Sequence, residues 1–128
     1  MSPLDPAIGE GTAGIMDSNR DGGAEPRHRP PSGATAIVLS GFYEGLEVVL
    51  DRDRFVIGRG RKADLALAEA TISRAHALIG FDGEGFFVED LGSTNGTLVN
   101  GAPVARQRLK NEDEIQMGKL RIGVTLPR

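Results

Sequence analysis

The chain has 128 residues, enough for one domain and a flanking segment. It contains no cysteine, which excludes disulfides, thiolate metal sites and thiol catalysis. Its formal net charge of −3 supplies no global basic field for nucleic acid. Met1 to Asp5 does not begin a signal peptide and no apolar run is long enough to span a bilayer, so a cytoplasmic location without membrane association is expected.

Residues 1–33 differ in composition from the remainder of the chain. They hold five of the seven prolines and six glycines, and their apolar residues (Leu4, Ile8, Ile15, Met16) are isolated. Such a stretch cannot bury enough surface to offset the entropy of ordering, so a disordered tail is expected over 1–33 and a domain over 34–128.

From Thr35 the pattern changes to short β-runs. Thr35 to Leu39, Leu46 to Leu50 and Arg54 to Gly58 come first, separated by Ser40-Gly41 and by Asp51-Arg52-Asp53. Leu65 to Leu67 reads as a short strand or a turn of helix. Ala77 to Phe81 and Phe86 to Asp90 flank a hairpin loop, Asp82 to Gly85. Thr97 to Asn100 and Ala102 to Val104 form a small hairpin, and Gln107 to Lys110, Glu114 to Met117 and Lys119 to Leu126 complete the set. Short strands with frequent turn signals and no sustained helical period predict an all-β sandwich or barrel. Within it, Ser93 to Gly101 carries two Asn-Gly pairs around three strand formers, which reads as turn, strand, turn. The small polar side chains of Ser93, Thr94, Asn95 and Asn100 then sit at loop tips, where binding residues concentrate on rigid β-scaffolds.

Two further segments bear on chemistry. Gly58-Arg59-Gly60-Arg61-Lys62 comes after a strand and is Gly-rich and basic. It can present backbone N–H groups and guanidinium forks to a phosphate, or be a solvated basic turn. It matches neither a Walker A nor a dinucleotide-binding loop. Thr71-Ile72-Ser73-Arg74-Ala75-His76-Ala77 combines Ser, Arg and His. A nucleophilic serine requires a base and an orienting acid within reach, and nothing in the spacing provides that geometry. His76 is read instead as a ring satisfied by backbone polar groups behind the loop. Gly9 to Gly14 matches G-x-G-x-x-G, but no strand precedes it and it opens no helix.

Taken in order, Phe55-Val56-Ile57-Gly58-Arg59, Ala63 to Leu67, Ile72 to Ala77, Asp90 to Thr97 and Val99-Asn100-Gly101 resemble the forkhead-associated (FHA) domain over about Ala36 to Leu126. The resemblance implies a sandwich of about eleven short strands and binding of phosphothreonine peptides, without catalysis and without a cofactor or metal. By position it implies that Arg59 grips the phosphate and that Ser73, through hydroxyl and backbone N–H, and Thr94 add phosphate contacts. Asn95 would hold the peptide backbone, Asn100 would make a second peptide contact, and Arg74 is a further phosphate candidate. Gly58 and His76, with Gly96, would shape the loops from behind. The partners implied are phosphothreonine-containing proteins, such as a Ser/Thr kinase or its substrates. Because some family members fold a phosphorylated tail threonine onto their own pocket, Thr12 is a candidate regulatory phosphosite.

The competing reading is a structural or assembly module of the same fold that binds its partner without phosphate. An enzyme acting on phosphate esters lacks a metal cluster, because His28 and His76 lie far apart. Nucleic-acid binding lacks an aromatic platform beside the basic residues.

Overall fold

A computed structural model describes residues 28–127. Of the expected tail, 1–27 and with it Thr12 lie outside the described residues, and 28–33 contain no strand. Eleven strands occur among the described residues. They are β1 (Thr35–Val38), β2 (Glu47–Val49), β3 (Arg54–Gly58), β4 (Leu65–Ala66), β5 (Ala77–Phe81) and β6 (Phe86–Asp90). Then come β7 (Thr97–Val99), β8 (Ala102–Pro103), β9 (Arg106–Arg108), β10 (Glu114–Met117) and β11 (Leu120–Thr125). No helix occurs among the described residues, and none is long and apolar enough to cross a membrane.

The strands form two sheets, ordered β9-β6-β5-β3-β4 and β2-β1-β11-β10-β7-β8. All pairings are antiparallel except the short parallel contact of β3 with β4. Period-two alternation sends one set of side chains between the sheets. From the first sheet these are Phe55, Ile57, Ala77, Ile79, Phe86 and Val88; from the second, Val38, Val99, Ile115, Met117, Ile122 and Val124 are among those that meet them. Full burial of an Ile, Leu or Phe is worth about 1.5–3 kcal/mol, so this layer supplies the main driving force.

Strand β5 is buried on both faces. Its outer face is covered by Phe87 of β6, over whose ring the Arg106 guanidinium stacks at 3.7 Å. Gly80 makes room for that ring: a Cβ there would lie 2.3 Å from Phe87 Cζ. At the β5–β6 hairpin, Asp82 accepts two hydrogen bonds from Arg108, at 3.0 and 2.9 Å, and two more from the N–H groups of Glu84 and Gly85. The Arg108 guanidinium, helped by those N–H groups, holds the Asp82 carboxyl well below the usual carboxylate range.

The register brings four connections to one end of the sandwich. Ile57 faces Ala77, Ala77 faces Asp90, and Met117 faces Thr97. The end of β3, the start of β5, the end of β6, the start of β7 and the β10–β11 turn are therefore neighbours. The Asn95-Gly96 turn is not a hairpin, since it carries the chain from β6 in one sheet to β7 in the other. Asn100-Gly101 does close a hairpin, with both residues at positive φ (49° and 88°) as a type I′ turn requires. At the site end, Gly58 lies against the β4–β5 loop so closely that a Cβ would stand 2.0 Å from the Arg74 carbonyl oxygen.

Two outcomes test this packing. Gly58→Ala forces one backbone segment off another and should cost about 1–3 kcal/mol in chemical denaturation. Gly60→Ala, whose Cβ would stand 3.2 Å from Arg74 Cβ, should cost clearly less. For Asp82 the native state holds the proton more weakly than the unfolded chain does. Its contribution is full above the ordinary carboxylate range and is lost as pH falls below it. Between neutral pH and about pH 3, Asp82→Asn should therefore lose less stability than the parent protein.

Candidate functional site

Three of these four connections carry the candidate residues: 59–64 after β3, 67–76 before β5 and 91–96 between β6 and β7. Backbone bonds tie the first two, with Arg59 N–H donating to the Ser73 carbonyl (2.9 Å) and Gly60 N–H to the Arg74 carbonyl (3.0 Å). Arg59 Nε donates to the Ile72 carbonyl at 3.1 Å, which lays the exposed side chain toward the Ser73 loop. Its two terminal Nη groups have no protein partner among the described residues.

Ser73 is held on three sides. Its carbonyl accepts from Arg59, its N–H donates to His76 Nδ1 (3.1 Å), and its hydroxyl oxygen accepts from Thr94 N–H (3.1 Å). The hydroxyl proton is left to donate elsewhere. The resemblance implied a ligand contact from the Ser73 backbone N–H as well; the structure gives that N–H to the imidazole. Thr94 is exposed, and its hydroxyl has no protein partner among the described residues. Asn95 donates from Nδ2 to the Thr71 carbonyl at 2.7 Å, leaving Oδ1 without a protein partner among the described residues.

His76 is fully buried and bridges the two loops. Nδ1 accepts from Ser73 N–H, and Nε2 lies 2.8 Å from the Gly96 carbonyl. Only a neutral ring protonated on Nε2 satisfies both partners. With both ring nitrogens given to backbone groups, His76 is not positioned to take a proton from the Ser73 hydroxyl.

Behind the Ser93 to Gly96 turn stands Asp90. One oxygen accepts from the N–H groups of Gly92 and Ser93, both at 3.0 Å, and the other from the hydroxyls of Ser93 (2.5 Å) and Thr97 (2.7 Å). Ser93 Oγ in turn accepts from Gly96 N–H (2.9 Å). Burial pushes the Asp90 carboxyl up, but these four bonds outweigh it and hold it below the usual value. A second clamp sits under Asn95. Glu69 accepts from the hydroxyl and N–H of Thr71, bonds that hold its carboxyl below its ordinary value. Thr71 Oγ1 accepts from Lys119 N–H of the β10–β11 turn. Sequence reasoning assigned no role to Asp90, Glu69 or Thr71. An Asp at a strand end with Gly-Ser close behind it is an Asx-turn signal that marks the first of them.

Asn100 is a correction. It lies at the far end of β7, about 10 Å of strand from the site loops. Both ends of its amide are committed there: Nδ2 donates to Asp113 (2.8 Å) and Oδ1 accepts from Glu114 N–H (2.9 Å). Its positive φ and those two bonds make it a turn residue rather than a ligand contact. Arg74, by contrast, is at the site end, exposed and without a side-chain partner among the described residues.

This arrangement can be set beside known proteins. The model of the FHA domain matches residues 55–118. The chain is 36% identical over 122 residues to the glycogen accumulation regulator GarA of Mycolicibacterium smegmatis, covering 95% of this chain and 73% of the relative. It is 39% identical over 93 residues to the oxoglutarate dehydrogenase inhibitor of Corynebacterium jeikeium, covering 73% of this chain and 65% of the relative, just under two thirds. A solved structure from an analysis of phosphothreonine-dependent FHA domain interactions superposes with a TM-score of 0.68 at 36% identity, over 74% of this chain and 97% of that one. Fold, motif order and relatives agree: the chain belongs to the FHA-domain family.

Proposed function

We propose that residues 34–128 form a non-catalytic domain that binds phosphothreonine segments of partner proteins in Ser/Thr kinase signalling in the cytoplasm. The observation that carries this reading is a set of donors with no protein partner among the described residues, on loops tied to one another by internal bonds. They are the Nη groups of Arg59 and the hydroxyls of Ser73 and Thr94. A phosphothreonine brings about −1.5 to −2 charges and three acceptor oxygens, which matches one guanidinium fork and two hydroxyls. Arg74, next to Ser73 in the same loop and exposed, offers a second cation. Asn95 Oδ1 is free to accept from an extended peptide's N–H, while Nδ2 anchors the side chain to Thr71.

The regulatory setting rests on the relatives, which are named as a regulator and an inhibitor rather than as enzymes. Their chains extend beyond the matched region, so the partner, a kinase or its substrate, is part of the proposal. Threonine is distinguished from serine by one methyl group, worth only about 0.8 kcal/mol of burial unless the loops are rigid around it. The His76 and Asp90 networks supply that rigidity.

Arg59→Ala removes a charge-assisted contact of about 1.5–3 kcal/mol and should weaken a phosphothreonine peptide about ten- to hundredfold in calorimetry. Arg59→Lys keeps the charge but loses both the fork and the bond to Ile72, and should fall between the two. Equal binding of the unphosphorylated peptide, unaffected by either substitution, would instead identify the phosphate-independent assembly module.

His76→Phe keeps a ring but strands Ser73 N–H and the Gly96 carbonyl, at about 1–3 kcal/mol each. Stability and peptide affinity should both fall, with the largest amide shifts in nuclear magnetic resonance at Ser73 and Gly96. A variant that lost stability while binding normally would count against loop rigidity as the source of affinity.

A further inference from the structure

Beside the phosphate loops lies an open groove of ≈ 650 Å³. Four cations line it: Arg54 from β3, Arg61 and Lys62 from the loop after β3, and Arg74 from the loop before β5. None of the four side chains has a hydrogen-bond or carboxylate partner among the described residues. Elsewhere on the domain the pattern is the opposite, since Arg52, Arg106, Arg108 and Arg121 are each paired with a carboxylate. Of the carboxylates next to lining residues in sequence, Asp64 has both oxygens engaged, one by Arg52 and one by Val56 N–H, and Asp90 has both engaged by its own turn. In a chain of net charge −3, four cations without a carboxylate partner among the described residues are thus gathered on one groove, where they set up a local positive field.

We infer that this groove receives a second phosphoryl group carried by the same peptide that presents the phosphothreonine. The inference rests on the phosphothreonine reading above. Two features favour a peptide over a polynucleotide. The groove is continuous with the phosphate loops, sharing Gly60 and Arg74 with them. Its floor is aliphatic, from Val56, Ala63 and Leu91, with no aromatic ring among the lining residues on which a base could stack. Three guanidinium groups and an ammonium suit a dianion with several acceptor oxygens better than a single carboxylate. An extended chain advances about 3.3 Å per residue, so a second group a few residues along the peptide lies clear of the loops that would hold the phosphothreonine.

The test compares fluorescently labelled peptides at low ionic strength. One carries phosphothreonine alone. The others add a phosphoserine, or a glutamate, at each of about four positions on either side. The protein is compared with Arg54→Gln/Arg61→Gln/Lys62→Gln, which leaves Arg59, Ser73 and Arg74 in place. At one spacing the second phosphate should tighten binding about tenfold, a gain that added salt reduces. The triple variant should lose that gain while binding the singly phosphorylated peptide as the parent does.

Absence of a gain at every spacing, or a gain that survives the triple substitution, overturns the inference. So does a glutamate that recovers the full effect. A short single-stranded oligonucleotide that competes for the groove as well as the second phosphate also overturns it. Failure of the singly phosphorylated peptide to bind, or its indifference to Arg59→Ala, would instead defeat the phosphothreonine reading itself, so the two failures are told apart.

Discussion

The imidazole of His76 is the contact on which the binding end depends. It is fully buried, and it joins two loops that approach from different parts of the chain: Ser73 N–H on one side and the Gly96 carbonyl on the other. Both partners are backbone groups, so the bridge constrains the path of the main chain and not merely a rotamer. It also selects the tautomer, because Nδ1 must accept from Ser73 N–H while Nε2 faces the Gly96 carbonyl. A buried polar bridge of this kind is stabilising only when every member is satisfied, and here each one is.

Around that bridge the same division of labour recurs within single side chains. Ser73 uses its hydroxyl oxygen to accept from Thr94 and keeps its proton free. Asn95 uses its amide nitrogen to reach Thr71 and keeps its oxygen free. Arg59 uses Nε to reach Ile72 and keeps its terminal nitrogens free. Each residue is anchored by one polar atom and outward-facing by another. The ordering entropy is therefore met on folding, leaving two donors and one acceptor already positioned. Asp90 and Glu69, which need not touch the ligand, do the anchoring one layer further in.

Charge is distributed on the same logic. Carboxylates that accept several donors, such as Asp82 and Asp90, are held below their ordinary values and lock hairpins and turns. Among the described residues the cations at the site end have no such partners, whereas Arg52, Arg106, Arg108 and Arg121 do. A protein of negative net charge thus keeps a local positive field at one end without making the whole surface basic.

Much of this was legible in the residues alone. Arg54 to Gly58, Ala77 to Phe81, Phe86 to Asp90 and Glu114 to Met117 are strands with the boundaries their apolar pattern and turn signals indicate. The loop residues Arg59, Ser73, Thr94 and Asn95 were identifiable from residue type and motif order. The place of Asn100 at the far end of β7 was not legible, because Asn-Gly announces a turn without saying at which end of the sandwich it closes. The register of β3 on β5 and β5 on β6, and the passage of the chain from one sheet to the other after Asp90, decided which turns became neighbours. Local pattern determined the strands and turns, since alternation and φ preference act over a few residues. Only tertiary packing decided that Ser73 N–H belongs to His76 and that four cations share a groove, because those depend on segments brought together by burial of the common core.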